Sequence, residues 1–182
     1  MRSLLLALAG GALALAPMRA PDLPAQLLPV YGGSGGTTYN RSCGAGKVVT
    51  GMRYREGLVV DAVGLLCRAV APDGSLGTES TVGTMVGGGG GSFGTVSCPA
   101  GTVVRGATLD YGSVLDGVIL QCASWSKATR SFGGVGAVRS FGRQTLNKRG
   151  ESVCEAAAQP VVAIRGREAS VVDALGLICN EP

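Results

Sequence analysis

Gly57-Leu-Val-Val-Asp61-Ala-Val-Gly-Leu-Leu-Cys67 returns as Gly112-Ser-Val-Leu-Asp116-Gly-Val-Ile-Leu-Gln-Cys122 and again as Ala169-Ser-Val-Val-Asp173-Ala-Leu-Gly-Leu-Ile-Cys179. In every copy the Asp stands six residues before the Cys. Upstream of each copy lies a second shared block. Cys43-Gly-Ala-Gly-Lys-Val-Val-Thr-Gly-Met matches Cys98-Pro-Ala-Gly-Thr-Val-Val-Arg-Gly-Ala, and Cys154 with Val161-Val162 closes the series. The leading cysteines are 55 and 56 residues apart. Self-similarity at a fixed period means repeated supersecondary units that share one core.

Period-2 alternation runs through each quoted stretch. Asp61, Val63, Leu65 and Cys67 share one strand face. Asp116, Val118, Leu120 and Cys122 do the same, as do Asp173, Leu175, Leu177 and Cys179. The Val/Leu/Cys face is expected inward, with each Asp at the strand's start near the rim. Val48-Val49, Val103-Val104 and Val161-Val162 begin a preceding strand, joined to the next by a turn at Glu56-Gly57 or Tyr111-Gly112. Three similar sheets must each bury one face, and packing around a common axis does that. The expectation is an all-β domain of three repeats, 31–86, 87–141 and 142–182.

Six cysteines allow 15 pairings. The repeat selects Cys43–Cys67, Cys98–Cys122 and Cys154–Cys179. Each closes a loop of about 25 residues, worth roughly 3 kcal/mol on the chain-entropy view. Disulfides belong to exported proteins, and the N-terminus agrees. Arg2 precedes an apolar run from Leu4 to Ala16, the pattern of a secretory signal peptide over residues 1–20. That run is too short to span a bilayer comfortably. Residues 21–30, with Pro21, Pro24 and Pro29, read as an extended leader or linker. A secreted, extracellular or periplasmic location follows, without membrane insertion.

Composition excludes several functions. Only 15% of residues are charged and the net charge is +4. No Lys/Arg cluster is interleaved with aromatics, so nucleic-acid binding has no support. There is no histidine, which removes the commonest general base and metal ligand. No acid pair or activated nucleophile can be assembled, so an enzyme is not expected. The cysteines stand singly, so no metal site is expected, and no cofactor is implied. Gly87 to Gly91 imitates a dinucleotide fingerprint, but no strand–helix context follows it. Arg139, Arg143, Lys148 and Arg149 form a loose basic patch, read first as a solvated loop and second as a site for an anionic glycan or a surface partner. Trp125 is expected to cap one end of the domain, with stacking on a sugar ring as the sharper alternative.

Two features together resemble the β-prism proteins, in particular the jacalin-related, banana-type lectins. One is a Gly-rich loop before a strand, Gly32-Gly33-Ser34-Gly35-Gly36 and again Gly87 to Gly91. The other is G-x-x-x-D followed by an apolar strand, Gly57 to Asp61 and Gly112 to Asp116. The resemblance covers about residues 31 to 181. The cysteine framework is more similar to vitelline membrane outer layer protein I. The resemblance implies β-prism I, three Greek-key four-stranded sheets with pseudo-threefold symmetry. It also implies a sugar site between a Gly-rich loop and the preceding G-x-x-x-D loop, the last G-x-x-x-D pairing with the first Gly-rich loop.

Carried over, site one is Gly57, Leu58, Val59 and Asp61 with Gly90 and Gly91. Site two is Ser170 and Asp173 with Gly35 and Gly36; Ala169 stands where the resemblance calls for Gly, which predicts a distorted loop. Site three, Gly112 to Asp116, faces Phe141-Gly-Arg-Gln-Thr-Leu-Asn-Lys-Arg-Gly150 and is expected not to bind. The chemistry is plain: a carboxylate accepts from vicinal hydroxyls, and glycine lets the opposing backbone approach the ring. The partners implied are glycans of mannose/glucose type, and an oligomer would add avidity. Two readings stand side by side: a secreted carbohydrate-binding protein, or a non-catalytic structural protein of an extracellular coat. In the second, the aspartates serve their turns.

Overall fold

The computed structural model describes residues 24–145, 147–154 and 159–182. The signal-peptide expectation and the start of the leader lie outside the described residues. Every regular element described is a strand.

The first sheet contains β4 (Lys47–Glu56), β5 (Val60–Ala69), β6 (Ser80–Gly87) and β7 (Ser92–Ser97), ordered β6-β5-β4-β7. Three strands follow one another and the fourth returns beside the first, which is a Greek key. The second sheet repeats it with β8 (Thr102–Tyr111), β9 (Leu115–Ser126), β10 (Ser131–Gly142) and β11 (Lys148–Val153), ordered β10-β9-β8-β11. The third is assembled from both ends of the chain. β12 (Val161–Glu168) and β13 (Val172–Cys179) form its hairpin, β3 (Thr37–Ser42) pairs with β12, and β1 (Gln26–Leu27) and β2 (Tyr31–Gly32) both pair with β13. Its outer strand is thus split in two, so this sheet departs from the expected four strands. Leu28, between the two pieces, is buried and donates its N–H to the Leu177 carbonyl at 3.0 Å.

The inward faces are those the alternation predicts. Val63, Leu65 and Cys67, Val118, Leu120 and Cys122, and Leu175, Leu177 and Cys179 all belong to one core, with Met52, Ala107 and Ile164 at equivalent places in the preceding strands. The register of each hairpin slips twice, beside its turn and again between Val49 and Gly51, Val104 and Gly106, and Val161 and Ala163. The carbonyls of the bulged residues Thr50, Arg105 and Val162 accept the N–H groups of Cys98, Cys154 and Cys43 at 2.8–2.9 Å. A bulge turns a strand and frees a carbonyl, and here that carbonyl seats the leading cysteine of each pair.

All three disulfides take the expected pairing. Each joins two sheets. Cys43 follows β3 of the third sheet and Cys67 lies on β5 of the first. Cys98 ties the end of β7 to β9, and Cys154 ties the end of β11 to β13. A disulfide within one sequence repeat is therefore a staple between neighbouring sheets, because the sheets are offset from the repeats.

Candidate functional site: three hairpin loops at one end

The three hairpins turn at the same end of the molecule. Each turn is closed by the backbone: Gly57, Gly112 and Ala169 donate N–H to the carbonyls of Val59, Val114 and Val171 at 2.9–3.0 Å. Neither Gly57 nor Gly112 has a positive φ. An L-residue therefore fits this position, and Ala169 closes the same turn without strain. The distortion expected at Ala169 does not occur.

Facing each turn is the loop that enters the sheet's next strand. Gly32, Gly87 and Gly142 have φ of 137°, 101° and 74°, the region glycine tolerates. The residue after each donates N–H to the carbonyl of Asp173, Asp61 or Asp116 at 2.8–2.9 Å. The loops also meet around the axis. A Cβ on Gly33 would collide with the Ser113 carbonyl, and one on Gly88 with the Ser170 carbonyl. Two carboxylates bind adjoining sheets together: Glu56 accepts from the Gly142 N–H, and Glu168 accepts from the Gly87 N–H at 2.9 Å. At the equivalent place in the second sheet stands Tyr111, whose ring lies 5.7 Å from that of Tyr31.

Asp61 faces Gly90 and Gly91. A Cβ on Gly90 would stand 2.5 Å from Asp61 Oδ1, and one on Gly91 2.5 Å from Oδ2. Asp173 faces Gly35 and Gly36 in the same way, at 2.6 Å for each oxygen. Only bare backbone can pass the carboxylates so closely. In both places Oδ2 is buried and accepts no hydrogen bond. Leu58 and Ser170 stand exposed at the turn tips, Leu58 at 79% of its full exposure, and Val59 is half-buried. Gly57 and Asp61 belong to the same turn, a Cβ on Gly57 lying 3.3 Å from Asp61 Oδ2.

An arginine clasps each Gly-rich loop, a feature the sequence reading missed. Arg167 donates through Nε to the Gly35 carbonyl at 2.6 Å and through Nη2 to the Gly36 carbonyl at 2.7 Å. Arg55, at the equivalent place in β4, donates to the Gly91 carbonyl at 3.2 Å. The repeat carries the signal: Arg55 and Arg167 each stand two residues before the turn's first residue, and the second sheet has Asp110 there.

The third loop pair is built otherwise. Thr145 donates its hydroxyl to Asp116 Oδ2 at 2.8 Å. Asp110 is fully buried and takes a two-pronged pair from Arg149, Nε at 2.7 Å and Nη2 at 2.9 Å. Its carboxylate hydrogen bond holds the Arg149 guanidinium above its usual range. One member of the loose basic patch is thereby neutralised; Arg139, Arg143 and Lys148 are exposed. Trp125 lies at the far end of β9 from Asp116, roughly 30 Å away along the strand at about 3.3 Å per residue, paired with Phe132. It stands away from the loop cluster.

No family model and no curated protein sequence matches the chain. Solved structures do. A mannose-binding jacalin-related lectin from Ananas comosus superposes with a TM-score of 0.57 at 20% identity, covering 87% of this chain and 99% of its own. Calystegia sepium agglutinin gives 0.59 at 16%, covering 90% and 99%. A mannose-specific jacalin-related lectin from Morus nigra, solved with mannose, gives 0.55 at 16%, covering 92% and 99%. The chain has the β-prism fold. At these identities the likeness is one of architecture, which by itself does not carry function. What the prism's loop end offers chemically is two acceptor carboxylates facing bare backbone, and a third satisfied from within.

Proposed function

We propose that this β-prism protein is an exported, non-catalytic carbohydrate-binding protein with two saccharide sites. Site one is Gly57, Leu58, Val59 and Asp61 with Gly90 and Gly91. Site two is Ser170 and Asp173 with Gly35 and Gly36. The observation that carries this reading is the contrast between the three aspartates. Asp116 receives a hydroxyl from its own chain, that of Thr145. In Asp61 and Asp173 the same oxygen is enclosed against the Gly-rich loop and has no donor. A buried carboxylate oxygen without a partner costs about 1–3 kcal/mol or more, and a ligand hydroxyl placed as Thr145's is would satisfy it.

The turns do not need these side chains, since the backbone closes them identically in all three copies. That weighs against the aspartates serving only as turn formers. Three disulfides support export into an oxidising compartment. Two of the structural neighbours are described as mannose-binding or mannose-specific, so mannosides and glucosides are the first ligands to try.

The test is a glycan array on the oxidised protein beside Asp61→Ala and Asp173→Ala. Binding that weakens in each variant and vanishes in the double variant is expected. An absence of binding by a folded wild type would move the assignment to a structural coat protein.

A further inference from the structure

We propose that the outer face of the third sheet, beside site two, is an anion subsite that selects saccharides bearing a carboxylate or sulfate. This rests on the carbohydrate reading of site two. A groove of about 630 Å³ opens on this face, lined by Val30, Thr38, Asn40, Arg165 and Arg167 over Tyr39 and Gly166. Among the described residues, no acidic side chain lines it. Arg165 and Arg167 alternate with the inward Ile164, so both project outward, about 7 Å apart along β12. Their cross-strand neighbours on β3 are Asn40 and Thr38, both exposed.

The two arginines are fixed from behind. Arg165 donates through Nη2 to the Leu28 carbonyl at 2.8 Å, while its Nε is buried without a partner. Arg167 is held by the Gly35 and Gly36 carbonyls, so one side chain belongs both to the groove and to the Gly-rich loop of site two. A guanidinium braced by carbonyls keeps its remaining donors and its whole charge for an oxyanion, and its fork matches carboxylate and sulfate. The first sheet has arginines at the same places, and Arg53 is braced by the Gly83 carbonyl at 2.7 Å as Arg165 is by Leu28, but Phe93 stands across from Arg55 where the third sheet has Thr38.

The experiment is calorimetric titration of the oxidised protein with four probes: methyl mannoside, a uronate disaccharide, a sulfated disaccharide and inorganic sulfate. At low salt at least one acidic disaccharide should bind about tenfold or more tighter than the neutral sugar, and that advantage should shrink at high salt. Arg165→Gln should abolish the advantage and leave methyl mannoside binding unchanged. Asn40→Asp, which places a carboxylate beside Arg165 on an exposed strand position, should do the same without removing any brace. The uronate and sulfate arms tell which oxyanion is selected.

Acidic disaccharides that bind no better than the neutral sugar, or an advantage that survives both variants, would overturn the subsite. So would inorganic sulfate binding as tightly as the sulfated disaccharide, since nothing would then link the groove to site two. Failure of the lectin reading looks different: methyl mannoside does not bind at all, whatever the acidic probes do.

Discussion

Gly90→Ala separates binding from folding more sharply than any change to Asp61 itself. The added Cβ would stand 2.5 Å from Asp61 Oδ1 and 3.3 Å from its Cγ, with no backbone atom in the way. Ordinary contact requires the carboxylate to retreat by roughly 1 Å, which takes it out of hydrogen-bond range of anything positioned for the native geometry. A lost charge-assisted hydrogen bond is worth about 1.5–3 kcal/mol, or about a 10- to 150-fold drop in affinity at site one. The fold should hardly notice. Gly90 is not among the glycines with positive φ, the side chain that must move is flexible, and the unfolded chain loses about 0.4–1 kcal/mol of its entropy advantage. Gly89→Ala is the control, since a Cβ there meets nothing within 4 Å. Calorimetric titration reads the affinity and urea unfolding reads the stability. The reasoning fails if folded Gly90→Ala binds as wild type does, or if Gly89→Ala loses as much.

Other consequences follow from the same geometry. Replacing Cys98 and Cys122 by serine removes one inter-sheet staple and should cost about 3 kcal/mol, lowering Tm by roughly 6–12 °C for a domain of this size in a thermal melt. Thr145→Ala should destabilise by about 1–3 kcal/mol in urea unfolding, because it leaves Asp116 Oδ2 buried without its donor. Tyr39 is buried, with its hydroxyl donating to the Ala174 carbonyl at 3.1 Å. Burial first, and the Glu168 charge second, push its ionisation above the usual tyrosine range, against the opposing Arg41. In the unfolded chain this phenol ionises near pH 10, so its contribution to stability is complete below that pH and is lost as pH rises beyond it. Ultraviolet titration should find one tyrosine that ionises only as the protein unfolds.

Much of this architecture could be read from spacing, because it is written three times. The Asp-to-Cys interval gave the strand face, and the faces gave the core positions Leu65, Leu120 and Leu177. The pairing of cysteines also followed, but not that each pair links two sheets. That depends on where strands such as β7 return, and a six-residue stretch like Ser92 to Ser97 has no pattern that says beside which strand it lies. The two-residue β1 was equally silent: Gln26 and Leu27 join a sheet only because β13 offers an edge. Of the candidate site, the loops and aspartates were visible as motifs, and the structure sets Asp61 against Gly90 and Gly91, and Asp173 against Gly35 and Gly36. Arg55, Arg167 and Thr145 were not singled out, since each acts through a contact some 30 to 130 residues away in sequence. Nor did spacing show that Ala169 can replace glycine, because a turn closed at negative φ has no need of one.

The most direct test of the two-site proposal is the stoichiometry of saccharide binding, measured by calorimetry on the oxidised protein. The prediction is two saccharides per chain, one after Asp61→Asn, and none after Asp61→Asn combined with Asp173→Asn. Binding that persists in the folded double variant, or a folded wild type that binds no saccharide, would contradict it.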